Sequence, residues 1–353
     1  MIPTTDKSRV MNEQIREHKT VRTHLRLARL SVFGKTASSY MRQLLNFRAL
    51  QWVSILLMSV LMASCTNSKL VISPLYNRLD DRMKDQFNEL GDFTDEQTKA
   101  FEQSLGTFHV WHRQSELPQY AMLIRSLASS IAAADTTDAD IQQWMDTVEM
   151  HSRAARDCHP VNFSIDLIKS LSDDQLTSIE KKFDEEHEED VARYESRTPE
   201  ERIERRINNV TKWSGRVGLD LTPAQRAMLL STFKQQISLR QEYFSLSAEW
   251  NDKLFELARA KDNPVYEQDL LTHLSLMWGQ LDAEHPQELQ ANRDLWKKTA
   301  HRFLQSMTSQ QRETVSQWMS KLGSTLAAIA KDEPSFQVAG DPSKGCLVDP
   351  EKT

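Results

Sequence analysis

Turn-forming residues are scarce in this chain, with 9 glycines and 11 prolines among 353 residues, below average usage. Four of them crowd into the last fourteen positions, as Gly340, Pro342, Gly345 and Pro350. A body so poor in Gly and Pro, and rich in Leu, Gln, Glu, Lys, Arg and Ala, favours long helices over strands and tight turns. No alternating apolar and polar run of strand type occurs at any length. Catalytic signatures are missing too: there is no GxSxG, no phosphate-binding P-loop and no GxGxxG. Basic charge is short in the body. Residues 1–40 carry +5 and residues 41–64 carry +2, so the total of −6 leaves −13 on residues 65–353. An acidic body excludes nucleic acid, which needs a basic footprint.

The chain also lacks a run of about 20 apolar residues, the length that crosses a bilayer. What is present is shorter, from Leu50 to Met62, with Gln51 and Ser54 inside it. That length fits the apolar region of a signal peptide. Arg42 and Arg48 supply the positive start, and Ala63 and Ser64 the small residues that a peptidase accepts. "LMASC" at 61–65 then resembles a bacterial lipobox. In that motif the cysteine thiol is diacylated, the bond before it is cut and the new amine is acylated. Cys65 is therefore the expected lipidation site, with a signal anchor left uncut as the alternative. The three acyl chains of such a cysteine exceed the two signals that stable membrane anchoring requires. Thr66 follows the cysteine, and by resemblance to enterobacterial-type lipoproteins this favours the periplasmic face of the outer membrane. Met41 would give a signal of ordinary length. Residues 1–40 are then an annotation artefact or a basic extension, 41–64 the signal, 65–73 a lipidated tether, 74–331 a helical domain and 332–353 a flexible tail.

The body is punctuated by one recurring pattern: "FTDEQ" at 93–97, "LSDDQ" at 171–175, "LTPAQ" at 221–225 and "MTSQQ" at 307–311. Each reads as a capping box, in which the hydroxyl accepts from the third helical amide and the glutamine reaches back to the cap amide. Capping alone accounts for the pattern. Thr137, Thr198 with Pro199, Pro264 and Pro286 mark further helix starts. Pro118 in "LPQY" marks a break between two helices. The apolar stripe Leu229, Phe233, Ile237, Phe244, Trp250, Leu254 predicts one helix from Thr222 to about Arg259. Its 38 residues would span about 57 Å. The expected fold is all-α, an elongated multi-helix bundle. Trp111, Trp144, Trp213, Trp250, Trp278, Trp296 and Trp318 are its expected core anchors. The boxes are spaced 78, 50 and 86 residues apart, which is not a regular solenoid.

Few residues offer chemistry. His109 and His112 stand three apart in "FHVWHRQ", but no HExxH accompanies them, and packing with polar bridging is the expected role. "DCHP" around Cys158 and His159 is a weaker metal pattern still. Cys158 and Cys346 would pair in an oxidising compartment or remain two free thiols. "DEEHEED" at 184–190 reads as a solvated helix face. In "PEERIERR", Glu200 and Glu204 face Arg202, Arg205 and Arg206 as surface pairs. No catalytic residue, metal site or cofactor is assigned.

Several stretches together resemble a domain-of-unknown-function family of envelope lipoproteins from Gram-negative bacteria. They are the lipobox, "YNRLDD" (76–81), "FTDEQ", "WHRQSELPQYAMLI" (111–124) and "RTPEERIERRINNVTKWSGRVGLDLTPAQRAML" (197–229). The resemblance implies an all-helical envelope protein with no established activity, and it transfers no catalytic residue. "LTPAQ" also resembles the LTxxQ element of the Spy/CpxP periplasmic chaperones, a much shorter group that forms basic cradles. The expected function is a lipid-anchored protein that binds or scaffolds an envelope partner. A chaperone holding unfolded clients is the alternative, and an enzyme without a recognisable motif the third reading.

Overall fold

The computed structural model describes residues 69–276, 279–333 and 346, and among these every regular element is helical. Residues 1–68, with the expected lipidation site Cys65, residues 277–278, with the expected anchor Trp278, and residues 334–345 and 347–353 lie outside the described residues. The order is α1 (Lys69–Asn77), α2 (Leu79–Leu90), α3 (Asp95–Trp111), a π turn (His112–Glu116) and α4 (Leu117–Ala133). Then come α5 (Asp138–Asp157), a 3-10 turn (Pro160–Phe163), α6 (Ile165–Ser170), α7 (Asp173–Glu195) and α8 (Pro199–Arg216). The chain closes with α9 (Pro223–Gln235), α10 (Arg240–Arg259), α11 (Tyr266–Leu276), α12 (Gln280–Glu284), α13 (Pro286–Ser306) and α14 (Ser309–Ile329). Helix α1 begins inside the stretch expected to be a tether. No helix among the described residues is long and apolar enough to cross a membrane.

The helix starts follow the local chemistry. Thr94, Thr137, Ser172, Thr198, Thr222 and Thr308 each close a reciprocal capping box, with Gln97, Asp140, Gln175, Glu201, Gln225 and Gln311 at the third position. Each satisfies two amides that a helix start leaves unpaired.

Two interruptions differ from the sequence expectation, in opposite directions. The helix expected to run through Thr222–Arg259 is broken between Gln235 and Arg240. The broken backbone is held by a remote side chain: Ile237 N–H donates to Asn292 Oδ1 at 2.8 Å, and Asn292 Nδ2 donates to Ile237 O at 2.9 Å. At Pro118 the opposite holds, because the chain stays helical from Asp95 to Ala133. Proline has no N–H to give the carbonyl four residues back, and its ring collides with that carbonyl. The π turn at 112–116 widens the helix just before Pro118 and relieves both problems without ending it.

The helices form a multi-helix bundle with several joined cores. Helix α14 packs along α4, and α1 lies against α14. Ile72, Tyr76, Leu117, Tyr120, Ala121, Ile124, Leu322, Leu326 and Ile329 are buried between these three. Phe87, Leu167, Leu171, Leu176, Ile179, Phe255 and Ala258 join α2, α6, α7 and α10. Ile207, Leu229 and Phe233 join α8 to α9, with Trp296 and Phe303 of α13 packed on them. Of the expected tryptophan anchors, Trp111 and Trp250 are buried. Trp144, Trp213, Trp296 and Trp318 are only half-buried, because they lie at the margins of their helices' apolar faces.

Candidate functional site

The π turn gathers the densest set of buried polar side chains. His112 and Arg113 are each 1% exposed, and Tyr76, Asp80, His109, Glu116, Tyr120 and His151 are buried around them. They come from five helices and the turn itself: Tyr76 from α1, Asp80 from α2, His109 from α3, Tyr120 from α4 and His151 from α5. An ordinary helix would turn His112, Arg113 and Glu116 at a different pitch. The wider turn directs all three inward.

Four hydrogen bonds fix the set. Tyr76 Oη and His112 Nδ1 are 3.0 Å apart. His151 Nδ1 and Glu116 Oε2 are 2.8 Å apart. Arg113 donates through NH1 to the Ile329 carbonyl at 3.0 Å and through NH2 to Asn77 Oδ1 at 2.6 Å. Its guanidinium also stands 4.8 Å from the Tyr76 ring centre, a cation–π distance. Arg113 thus ties α1 to the C-terminal end of α14, where helix carbonyls lack internal partners. The rings continue as a chain of contacts: Tyr76 with His109 at 4.6 Å, His112 with Tyr120 at 5.6 Å and Tyr120 with His151 at 5.3 Å.

Burial sets the protonation states. His109 is held down at about 4 by burial and then by the Arg113 charge. His112 is held at about 3 by burial, then by His109 and Arg113. Both rings are neutral at pH 7. Burial raises Tyr76 and Tyr120 well above the usual phenol range, and raises Asp80 above the usual carboxylate range. The protonated Tyr76 phenol and the neutral His112 ring therefore share one hydrogen bond, whose direction is set by the histidine tautomer. Nε2 of His109, Nε2 of His112 and Nε of Arg113 have no hydrogen-bond partner among the described residues. Left unpaired, such groups are destabilising by about 1–3 kcal/mol each. No group of three metal-capable side chains occurs among the described residues. In chemical terms the set is a sealed polar joint that fastens α1 to α3, α4 and α14.

The remaining residues singled out in the sequence fall elsewhere. Cys158 and Cys346 are joined by a disulfide, with Cα atoms 4.3 Å apart across a sequence separation of 188. Cys158 is buried at the end of α5. His159 lies beside it and accepts from Val161 N–H at 3.3 Å. Most of 184–189 is exposed or half-buried, but Asp190 is buried and paired with Arg193 at 2.6 Å. The arginines after Pro199 do not make the pairs expected of them. Arg202 donates to the Tyr194 and Arg197 carbonyls at the end of α7, and Arg206 donates to Gln236 Oε1 at 3.2 Å. Carbonyls at a helix C-terminus are natural partners for a cationic side chain, and Arg202 is placed to reach them.

The capping glutamines do more than cap, a role that reasoning from local sequence missed. Gln97 and Gln175 bind each other reciprocally, Nε2 to Oε1, at 3.1 and 2.8 Å. Gln225 and Gln311 do the same at 2.9 Å in both directions. Each amide also donates to the carbonyl two residues before its partner's cap: Ser170 for Gln97, Asp92 for Gln175, Ser306 for Gln225 and Asp220 for Gln311. The signal was the recurrence of glutamine, where glutamate would cap equally well. Only an amide has donors left for a partner.

No curated protein and no solved structure matches the chain. A family model does match, over residues 89–282, which is more than half of the sequence. That span covers the π turn, the first Gln–Gln pair and the break at 236–239. The chain belongs to DUF6279, a family of unknown function.

Proposed function

We propose that the chain is a lipid-anchored envelope lipoprotein, held at the periplasmic face of the outer membrane through Cys65, that binds or scaffolds a protein partner. The observation that carries this reading is "LMASC" at 61–65 behind an apolar run with a basic start. The disulfide between Cys158 and Cys346 supports it, since such bonds persist in oxidising compartments. The position of α1 supports it further. Helix α1 starts four residues after Cys65, a reach of about 14 Å at full extension. It is docked through Ile72, Tyr76 and Asn77. An anchor at Cys65 would therefore hold the body close to the bilayer. The acidic body favours a partner with a basic surface, and the complex should weaken as salt is added.

Crosslinking in intact cells should join the protein to one or a few envelope proteins. Cys65→Ser should shift it out of the outer-membrane fraction. Unchanged fractionation would overturn the anchor. Broad suppression of aggregation of unrelated denatured proteins at low ratio would favour the chaperone reading instead.

A further inference from the structure

We infer that the body is two interlocked copies of one helical unit, residues 79–195 and 199–329, joined because the closing helix of each copy packs on the other copy. The inference stands on equivalent atoms. Each copy opens with a helix, α2 or α8, followed by a glycine, an aspartate, an apolar residue and a capping threonine: Gly91-Asp92-Phe93-Thr94 in one, Gly218-Leu219-Asp220-Leu221-Thr222 in the other. The helix that starts there, α3 or α9, carries a hydroxyl ten residues past the cap. Ser104 donates to Ala100 O at 3.1 Å and Thr232 to Met228 O at 3.1 Å. The next residue, Leu105 or Phe233, is buried. Both helices are then interrupted, at 112–116 and at 236–239, before a second helix follows.

The second box of each copy matches as closely. The preceding helix ends in a serine whose hydroxyl turns back three residues, Ser170 to Leu167 O at 2.7 Å and Ser306 to Phe303 O at 2.8 Å. A buried residue follows, Leu171 or Met307, each 6% exposed and each donating its N–H back three residues at 3.3 Å. The capping hydroxyl comes next. Within each copy the two boxes are then joined by the reciprocal Gln–Gln pair, down to the same flanking carbonyls. Capping by itself needs no partner 78 or 86 residues away. Its full explanation of the sequence pattern therefore stops short of this geometry. The repeat is visible only when alternate boxes are compared, first with third and second with fourth.

Packing shows how the copies are joined. Within each copy, α2 lies on α3 as α8 lies on α9, and α6 on α3 as α13 on α9. The closing helices cross over. Helix α7 of the first copy packs on α10 of the second, and α14 of the second packs on α4 of the first. Phe255 and Ala258 thus complete a core of first-copy residues, and Leu322, Leu326 and Ile329 complete another. Ile207, Leu229 and Phe233 form a core within the second copy, but the first copy does not close its cores without second-copy residues, so a partner meets one body rather than two hinged halves.

The test cuts the link between copies. A protease site is inserted between Ser196 and Arg197 in the full chain, and the Cys158–Cys346 bond is reduced after cleavage. The fragments should stay together on native sizing, keep their helical signal and melt in one transition. Fragments that separate while folded, or that melt in two steps, would overturn the interlock. If the insertion prevents folding, hydrogen exchange on the unaltered protein in rising denaturant decides. The pairs α7 with α10 and α14 with α4 should lose protection in one step. Separate steps for 79–195 and 199–329 would contradict it.

Discussion

The two long helices that begin at Thr94 and Thr222 are interrupted at comparable places and by different means. In the first copy the helix widens into a π turn without ending, and the widening gathers buried titratable groups. In the second the helix breaks outright. There Gln236 and Leu239 are half-buried, Ile237 and Ser238 exposed, and the loose backbone is taken up by Asn292. A buried interruption has to satisfy its backbone by staying helical, because a carbonyl or amide left unpaired away from water is destabilising. An exposed one can open, since water and one amide side chain suffice. The same topological event has therefore become a sealed joint in one copy and an open joint in the other.

The largest way to disturb this comparison is to remove the bond that ties the first copy to the segment following the second. Loop-closure entropy for a ring of 188 residues gives about 5 kcal/mol at the upper limit. Cys158→Ala with Cys346→Ala should lower the denaturant midpoint by a large part of that. A double variant within about 1 kcal/mol of the wild type would contradict the loop-closure account of the bond.

Acid should separate the two joints next. His109 and His112 are neutral in the fold, with pKa lowered to about 4 and 3, while an unfolded histidine titrates near 6.5. Their contribution is complete above pH 6.5. It falls as pH drops from 6.5 to about 4 for His109 and to about 3 for His112, because the unfolded chain binds the protons. From pH 8 to pH 5 the two rings together should lose about 4 kcal/mol. Asp80 works in the opposite sense, since its raised pKa favours the fold as pH falls. His112→Phe should halve the slope of stability against pH in this window. An unchanged slope would mean that the ring is already charged in the fold.

The Gln pairs compare the copies at a finer level. Gln225 is 0% exposed and Gln311 8%, whereas Gln175 is only half-buried. Gln225→Leu strands the Thr222 amide, the Ser306 carbonyl and the Gln311 amide together, at about 3 kcal/mol. Gln97→Leu should cost about half as much, because water reaches its partner. Chemical denaturation reads both, and equal losses would contradict the difference in burial. The smallest effect belongs to the open joint. Asn292→Ala should cost about 1 kcal/mol and raise amide exchange at Ile237 while leaving the π turn unchanged.

Much of the fold was legible because its signals are local. A capping hydroxyl and its glutamine stand three residues apart, so the starts of α3, α7, α9 and α14 could be read directly. The interruptions were read backwards for the same reason. Pro118 is a local stop signal that tertiary packing converted into a π turn. The break near Ile237 depends on Asn292, 55 residues away, with nothing local to announce it. His109 and His112 were legible as packing residues from Phe108 and Trp111 beside them. Their neighbours Tyr76, Asp80, Glu116 and His151 were not, since the fold alone brings those helices together. The repeat was hidden by comparing neighbouring boxes at 78, 50 and 86 residues, where alternate boxes are separated by 128 and 136.

The anchor remains the claim on which the functional reading depends, and the mature N-terminus tests it most directly. Protein extracted from the cell envelope with detergent should yield, by intact mass and N-terminal peptide mass, a chain beginning at Cys65 with a diacylglyceryl thioether and an acylated amine. An N-terminus at Met1 or Met41, or a chain beginning at Cys65 with no acyl mass, would contradict it.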